Sequence, residues 1–482
     1  MNIIQIARVV SVLLLMVALF MCIPLFIGYY HEEDTGLSFL APILAAFVIC
    51  TSFLFATRKN RNGSISTRDG FFMVTMSWVC AAFISAVPFY LSGAIPRFVD
   101  CFFETMSGYT TTGASILTEI ENLPYSILFW RSLTHWLGGM GIVVLTVAIL
   151  PLLGVGGLQL LRAEAPGPTV DKITPKVTET AKILWYIYSG FTIAETLLLM
   201  AGGMSLFDAF THTFGTLATG GFSPKNASVG NYTSPYIHVV ITVFMLMAGT
   251  NFILYFKLIT GNLRTVFADT ELRGYLGIFL AAMLGIALVN YGKVYGSFAT
   301  SLRFAGFQTA TILTTTGYVT TNYARWPWLS QAILFFLMFI GGCSGSTGGG
   351  IKVIRIVTLC KLGWNELKKL IYPRGVFPVR LNGSNVPRDV AYAITGFVFL
   401  YILLLLVTTL VVASGGNDLT TSLATALVTL GNIGPGFGKI DPSGNYAFYP
   451  DYIKWFLSFI MMAGRLEIYT VVVLFAPKFW KR

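Results

Sequence analysis

Charge is what this sequence has least of. Asp, Glu, Lys and Arg make up only 11% of its 482 residues, where a soluble domain carries about 25%, so an ordinary water-soluble globular chain is excluded. Paired cysteines are missing as well. Cys22, Cys50, Cys80, Cys101, Cys343 and Cys360 are scattered, which argues against a disulfide framework and against a thiolate metal site. The four histidines, His31, His135, His212 and His238, are just as dispersed. With no cluster of His, Cys or carboxylates and no nucleophile motif, nothing indicates an enzyme or a bound cofactor. The run "GGCSGSTGGGIKV" at 341–353 tempts a nucleotide-binding reading, but GxxxxGK[ST] needs Lys directly after Gly350, and Ile351 stands there.

What the chain does have is apolar length. Hydrophobic residues make up 55% of it, and its mean hydropathy is +0.72. Stretches of the ~20 residues that cross a bilayer recur at roughly 9–30, 36–57, 70–93, 132–156, 183–203, 236–256, 274–292, 328–345, 390–413 and 454–476. The first is too long for a signal peptide and lacks a small-residue cleavage site, so it is read as a membrane helix. The net charge of +11 follows the spans rather than a nucleic-acid partner. Alternate connecting segments hold 23 of the 32 Lys and Arg but only 8 of the 21 Asp and Glu. The positive-inside rule then places both termini in the cytoplasm.

Four short polar loops interrupt this pattern: "YTTTGAS" from Tyr109, "LATGGFS" from Leu217, "LTTTGY" from Leu313 and "GNIGPGF" from Gly431. Their glycines, taken as Gly113, Gly220, Gly317 and Gly434, recur about every hundred residues, which points to an internal repeat. Each copy runs span, short half-apolar segment, glycine loop, span. The half-apolar segments are too short to cross and read as re-entrant half-helices. Irregular backbone at membrane depth belongs in the protein interior or against a water-filled cavity, so the four loops are expected to line a pore. Glycine lets neighbouring carbonyls turn toward one axis, and rings of carbonyls replace the water shell of a monovalent cation. The predicted ligands are the carbonyls of Thr111, Thr112, Gly113, Ala218, Thr219, Gly220, Thr315, Thr316, Gly317, Asn432, Ile433 and Gly434.

Below this filter two further features stand out. The run 341–350 cannot hold a stable helix, since each Gly costs about 0.8–1.0 kcal/mol against Ala. It reads either as a mobile loop in the pore, with Gly345, Ser346, Thr347, Gly348, Gly349 and Gly350 as gate, or as a site of close helix packing. Arg465, deep in the last span, must face a wet cavity or a partner. It reads either as a cationic barrier or as half of an ion pair with another span; Glu467, two residues on, does not share its helix face. The basic segment 352–388 follows the gate and suits either a regulator's lever or an anchor on anionic lipid.

These four repeats, with "GGCSGSTGGGIKVIR" at 341–355 and "GRLEIYT" at 464–470, resemble the Trk/Ktr/HKT cation transporters over essentially the whole chain. Two extra N-terminal spans give the pattern of the Trk branch rather than the Ktr branch. The resemblance implies an all-α polytopic membrane protein with ten transmembrane helices around a pseudo-fourfold pore. Its parts would be two N-terminal helices (1–69) and pore repeats 70–162, 163–264, 265–388 and 389–482. It further implies potassium uptake across a bacterial inner membrane, a homodimer, and a cytosolic TrkA-type nucleotide-binding ring as regulator. It also assigns an arginine at the position of Arg465 to the pore. A sodium- or proton-coupled cation symporter is the rival reading, although such carriers usually carry inverted repeats.

Overall fold

Proline begins one helix in each of the four repeats. In a computed structural model, which describes residues 1–60, 66–141 and 177–480, Pro124, Pro327 and Pro450 cap Tyr125–Gly139, Trp328–Leu337 and Asp451–Arg465, and Pro235 opens Pro235–Ala248. Its fixed φ suits a first turn, where the missing N–H has no helical partner anyway. All four helices then stop early. At 1.5 Å per residue even the 15-residue ones rise only about 22 Å, short of a ~30 Å hydrocarbon core.

Each of these helices ends within a few residues of a small residue followed by glycine: Gly138–Gly139, Ala248–Gly249, Gly341–Gly342 and Ala463–Gly464. The reason is close approach. A side chain on Gly138 would run into the backbone of Tyr109, and one on Gly464 into that of Leu430. Beyond the break, Phe252–Ile259 leaves at 95° to its predecessor and the Tyr469–Phe475 segment at 118°. In the third repeat the chain is non-helical until Val353–Ile371. In the first repeat the expected continuation, 142–156, lies outside the described residues, as does the expected boundary at 162.

Ahead of each broken helix sits a short helix that leads into a glycine loop: Phe98–Tyr109, Leu206–Leu217, Phe298–Leu313 and Leu419–Leu430. Ser205 and Asp418 cap the second and fourth, accepting from Asp208 N (3.1 Å) and Thr421 N (3.0 Å), which satisfies otherwise free amide donors. The C-terminal halves of all four are buried. Their carbonyl ends, carrying the negative end of the helix dipole, lead directly into the glycine loops.

Ile3–Tyr30, Gly36–Ala56, Thr67–Leu91, Glu179–Ala201, Thr270–Asn290 and Arg388–Ala413 are long and apolar enough to cross a bilayer. Counting each bent pair as one span, the described residues provide eight. The two expected spans not matched are 132–156, partly undescribed, and 328–345, where the helix ends at Leu337. The first two helices pack on each other and on Thr67–Leu91. The last of these begins at a capping box, Ser66 N donating to the Asp69 carboxylate at 2.9 Å and Asp69 N to Ser66 Oγ at 3.2 Å. The chain is a polytopic helical membrane protein.

Candidate functional site: a ring of four loops over a glycine-rich loop

The four short helices ahead of the glycine loops end in one repeated conformation. After a helix-capping residue comes a residue at positive φ, then an ordinary one, then a glycine at positive φ. The pairs are Thr111 (51°) and Gly113 (75°), Thr219 (55°) and Gly221 (79°), Thr315 (59°) and Gly317 (81°), Asn432 (55°) and Gly434 (90°). A threonine with positive φ is uncommon; three at matching places mark a designed turn. This register corrects the reading of the second loop. "ATGGFS" offers two glycines, and the one that matches Gly113, Gly317 and Gly434 is Gly221 rather than Gly220. Ala218 correspondingly caps its helix, as Thr110, Thr314 and Gly431 cap theirs.

Neighbouring loops touch through these glycines. A side chain on Gly113 would collide with the carbonyl of Gly220, one on Gly221 with that of Thr316, one on Gly317 with that of Ile433, and one on Gly434 with that of Thr112. The contacts run from loop 1 to 2, 2 to 3, 3 to 4 and back to 1. They therefore close a ring, and each carbonyl belongs to the residue just before its own loop's glycine. The nominated oxygen of Gly434 is already engaged, accepting from the Tyr446 hydroxyl at 2.6 Å.

An outer hoop of polar bonds ties the same loops in the same order. Between loops 1 and 2, Arg131 Nε donates to the Glu104 carboxylate at 2.7 Å, its Nη1 to the Ser223 carbonyl at 3.0 Å, and its Nη2 to Ser115 Oγ at 3.0 Å. The guanidinium also lies 3.6 Å from the ring centre of Phe222. Glu104 accepts from Ser115 Oγ (2.8 Å) and Ile116 N (2.9 Å) as well. Tyr318 OH donates to the His212 carbonyl, on the helix leading into loop 2, at 2.7 Å and lies 3.3 Å from that of Phe222. Tyr323 OH donates to the carbonyl of Gly436 at 3.1 Å, and Tyr446 N to that of Ser115 at 2.8 Å. Arg131→Met should therefore strand a fully buried carboxylate and destabilise the protein by about 3–5 kcal/mol. The Arg131→Met/Glu104→Gln double variant should recover part of that loss. Thermal unfolding of both in detergent checks it; equal stability of single variant and parent would contradict the buttress.

Directly against the ring lies the glycine-rich loop. Gly349 N donates to Thr315 Oγ1 at 2.7 Å, and Thr347 Oγ1 to the Leu217 carbonyl at 2.9 Å. Gly349 has no room for a side chain, which would meet the Gly431 carbonyl and the Asn432 side chain. Further bonds run from Cys343 N to the Gly249 carbonyl (2.8 Å) and from Phe252 N to that of Gly345 (3.0 Å). Lys352 Nζ donates to the Gly348 carbonyl. The loop is thus pinned in this conformation by bonds to the ring and to the second repeat. Its residues Gly345 and Gly350 take positive φ, at 72° and 62°.

Arg465 joins this loop to the first repeat. Its guanidinium donates to the Thr347 carbonyl and to those of Gly138 (2.9 Å) and Gly139 (3.0 Å). Glu467 pairs with Arg355, whose guanidinium sits 3.9 Å from the ring centre of Phe397. Beneath the loop is a cavity of about 510 Å³, lined by residues 344–350, Lys352, Arg465 and the breaks of the other repeats at Gly139–Gly141, Asn251–Ile253 and Gly464–Glu467. The four helix breaks thus open onto one space.

The family model for TrkH, described as a cation transport protein, matches residues 38–482. The chain belongs to that family. It is 40% identical to the Trk system potassium uptake protein TrkH of Salmonella typhimurium, over 99% of both chains. To TrkG of Escherichia coli it is 34% identical, over 95% of this chain and 94% of that one. The crystal structure of the potassium transporter TrkH from Vibrio parahaemolyticus superposes with a TM-score of 0.89 at 36% identity, covering 100% of each chain.

In this member of the family the structure brings the nominated loop residues into one ring and sets Gly345–Gly350 and Arg465 beside it. Sequence reasoning missed Tyr318, Tyr323, Tyr446 and Gly221, and gave Glu104 and Arg131 no role. It also missed the helix breaks outside the third repeat. A signal for these was present: Pro124 to Gly139, Pro235 to Gly249, Pro327 to Gly342 and Pro450 to Gly464 are 15, 14, 15 and 14 positions apart.

Proposed function

We propose that this chain takes up potassium across a bacterial inner membrane along the axis of the four loops, and that residues 345–350 gate the path. The observation that carries the reading is the closed cycle of glycine-to-carbonyl contacts. It sets Thr112, Gly220, Thr316 and Ile433 in equivalent places around one axis, where carbonyl oxygens can stand in for a cation's water shell. The names of the relatives supply potassium as the ion. The ligand set is the carbonyls of Thr111, Thr112 and Gly113, Thr219, Gly220 and Gly221, Thr315, Thr316 and Gly317, and Asn432 and Ile433. The gate acts by position: its neutral loop fills the space under the ring and must leave for ions to pass. A TrkA-type nucleotide-binding ring in the cytosol would move it through the basic segment 352–388, which the helix Val353–Ile371 connects to the loop. Homodimeric assembly and cytoplasmic termini complete the proposal.

The test is cation uptake into liposomes holding the purified chain, with membrane potential clamped and potassium compared with sodium. Potassium uptake that exceeds sodium uptake and needs no sodium or proton gradient supports the reading. Uptake that requires a sodium or proton gradient would support the symporter instead.

Arg465 gives a second check. Its three carbonyl partners lie on the loop and on the first repeat, so it holds the loop in place as well as bringing positive charge into the cavity. Arg465→Ala should fold and raise potassium uptake by about tenfold or more, since a hydrogen bond from a charged group is worth about 1.5–3 kcal/mol and 1.4 kcal/mol is a factor of ten in an equilibrium. A structural ion pair would give the opposite result, a destabilised protein with little uptake. Flux and thermal stability on the same purified variant separate the two.

A further inference from the structure

The loop 345–350 has two ends, and one side chain holds both. Glu271, in the first turn of Thr270–Asn290 and buried, accepts from Ser344 N at 2.7 Å and from Ile354 N at 2.9 Å. The same carboxylate oxygen, Oε1, receives both bonds. Ser344 lies at the start of the loop. Ile354 is the second residue of the following helix Val353–Ile371, so its N–H is one of the four that a helix leaves without an internal partner. A carboxylate there also meets the positive end of the helix dipole. The loop's base is zipped besides by Gly341 N to the Ile351 carbonyl (2.9 Å) and Val353 N to that of Gly342 (3.3 Å). Those two bonds join the chain's ends to each other. Glu271 joins them to the first span of the same repeat.

We infer that Glu271 is the positioning residue of the gate: it anchors both ends of the loop, so that the tip, 345–350, closes in one register under the ring and moves about a fixed base. The inference rests on the gate reading given above. It makes the acceptor oxygen the essential feature and the negative charge secondary. A glutamine keeps an oxygen at the same reach. An aspartate keeps the charge but draws it back by one methylene, and an alanine removes both.

Three variants of the full chain in liposomes, Glu271→Gln, Glu271→Asp and Glu271→Ala, test this by flux per folded protein without any regulator. A second readout is the rate at which a water-soluble maleimide alkylates Cys343, followed by peptide mass spectrometry. Cys343 is fully buried just ahead of the loop in this conformation, so its labelling reports release of the base. Glu271→Gln is expected to stay within about twofold of the parent on both readouts. The aspartate and alanine variants should each rise by about tenfold or more on both, since both hydrogen bonds to the Oε1 acceptor are lost or lengthened. The reverse pattern, aspartate like the parent and glutamine raised, would replace anchoring with a charge effect and overturn the inference. Parental values for every folded variant would overturn it too. A chain lacking 345–350 serves as reference. If that chain gains no flux, the gate reading fails, while Cys343 labelling still decides whether Glu271 anchors the loop.

Discussion

Deleting residues 345–350 should raise potassium flux per folded protein by about tenfold or more in the absence of a regulator. The deletion removes the Thr347 bond to the Leu217 carbonyl and the Gly349 bond to Thr315, together with the backbone that fills the space beneath the ring. Each such bond contributes about 1 kcal/mol net, and 1.4 kcal/mol is a factor of ten in an equilibrium. Two or three of them suffice to keep a gate mostly closed while leaving it within reach of a regulator. Gly349→Ala should act in the same direction but less strongly. Its methyl group would press on the Gly431 carbonyl and Asn432 and push the loop off its seat. A pure packing role makes the opposite forecast for both variants: lower folded yield and no gain in flux. Flux normalised to monodisperse protein distinguishes the two.

The second large effect concerns the ring. Gly113→Ser and Gly317→Ser should each lower the potassium-to-sodium uptake ratio by about tenfold. Two physical penalties coincide at these positions. A side chain at φ of 75° or 81° costs about 1–2 kcal/mol, and its Cβ would collide with the Gly220 or Ile433 carbonyl of the adjacent loop. Relieving the collision moves the oxygen that the neighbouring loop contributes, so the loss should appear in selectivity and not only in stability. Gly93→Ser is the control. Gly93 also has positive φ, 72°, but open space where its Cβ would go. It should show the backbone strain with the parental ion ratio. If the ring variants fold and keep that ratio, the loops do not select the ion.

The repeat was legible because it is written in turn chemistry. A glycine that needs positive φ cannot easily be replaced, so four of them survive as visible punctuation in an apolar chain. The same chemistry misled in the second loop, where two adjacent glycines satisfy the pattern and only the backbone angles distinguish Gly221 from Gly220. The helix breaks were harder to read for a thermodynamic reason. Ala248–Gly249 and Ala463–Gly464 sit inside stretches that read as continuous spans, and hydropathy measures composition without asking where a helix ends. Only the third break, with its many glycines, carries enough cost to show through. The buttress was hidden differently. Glu104 and Arg131 are 27 positions apart on different helices, and Tyr318, Tyr323 and Tyr446 act between loops or within one. Their meaning is created by the ring they surround. Arg465 was recognisable as a misplaced charge, but its partners are backbone carbonyls, which no residue type announces.

The most direct test of the account is to locate the ion. Crystals of the full chain grown with rubidium or thallium in place of potassium should show anomalous density on the axis of the four loops, within coordination distance of the carbonyls of Thr112, Gly220, Thr316 and Ile433. An empty ring at saturating ion, with density found elsewhere in the membrane-spanning region, would contradict the claim that these loops are the filter.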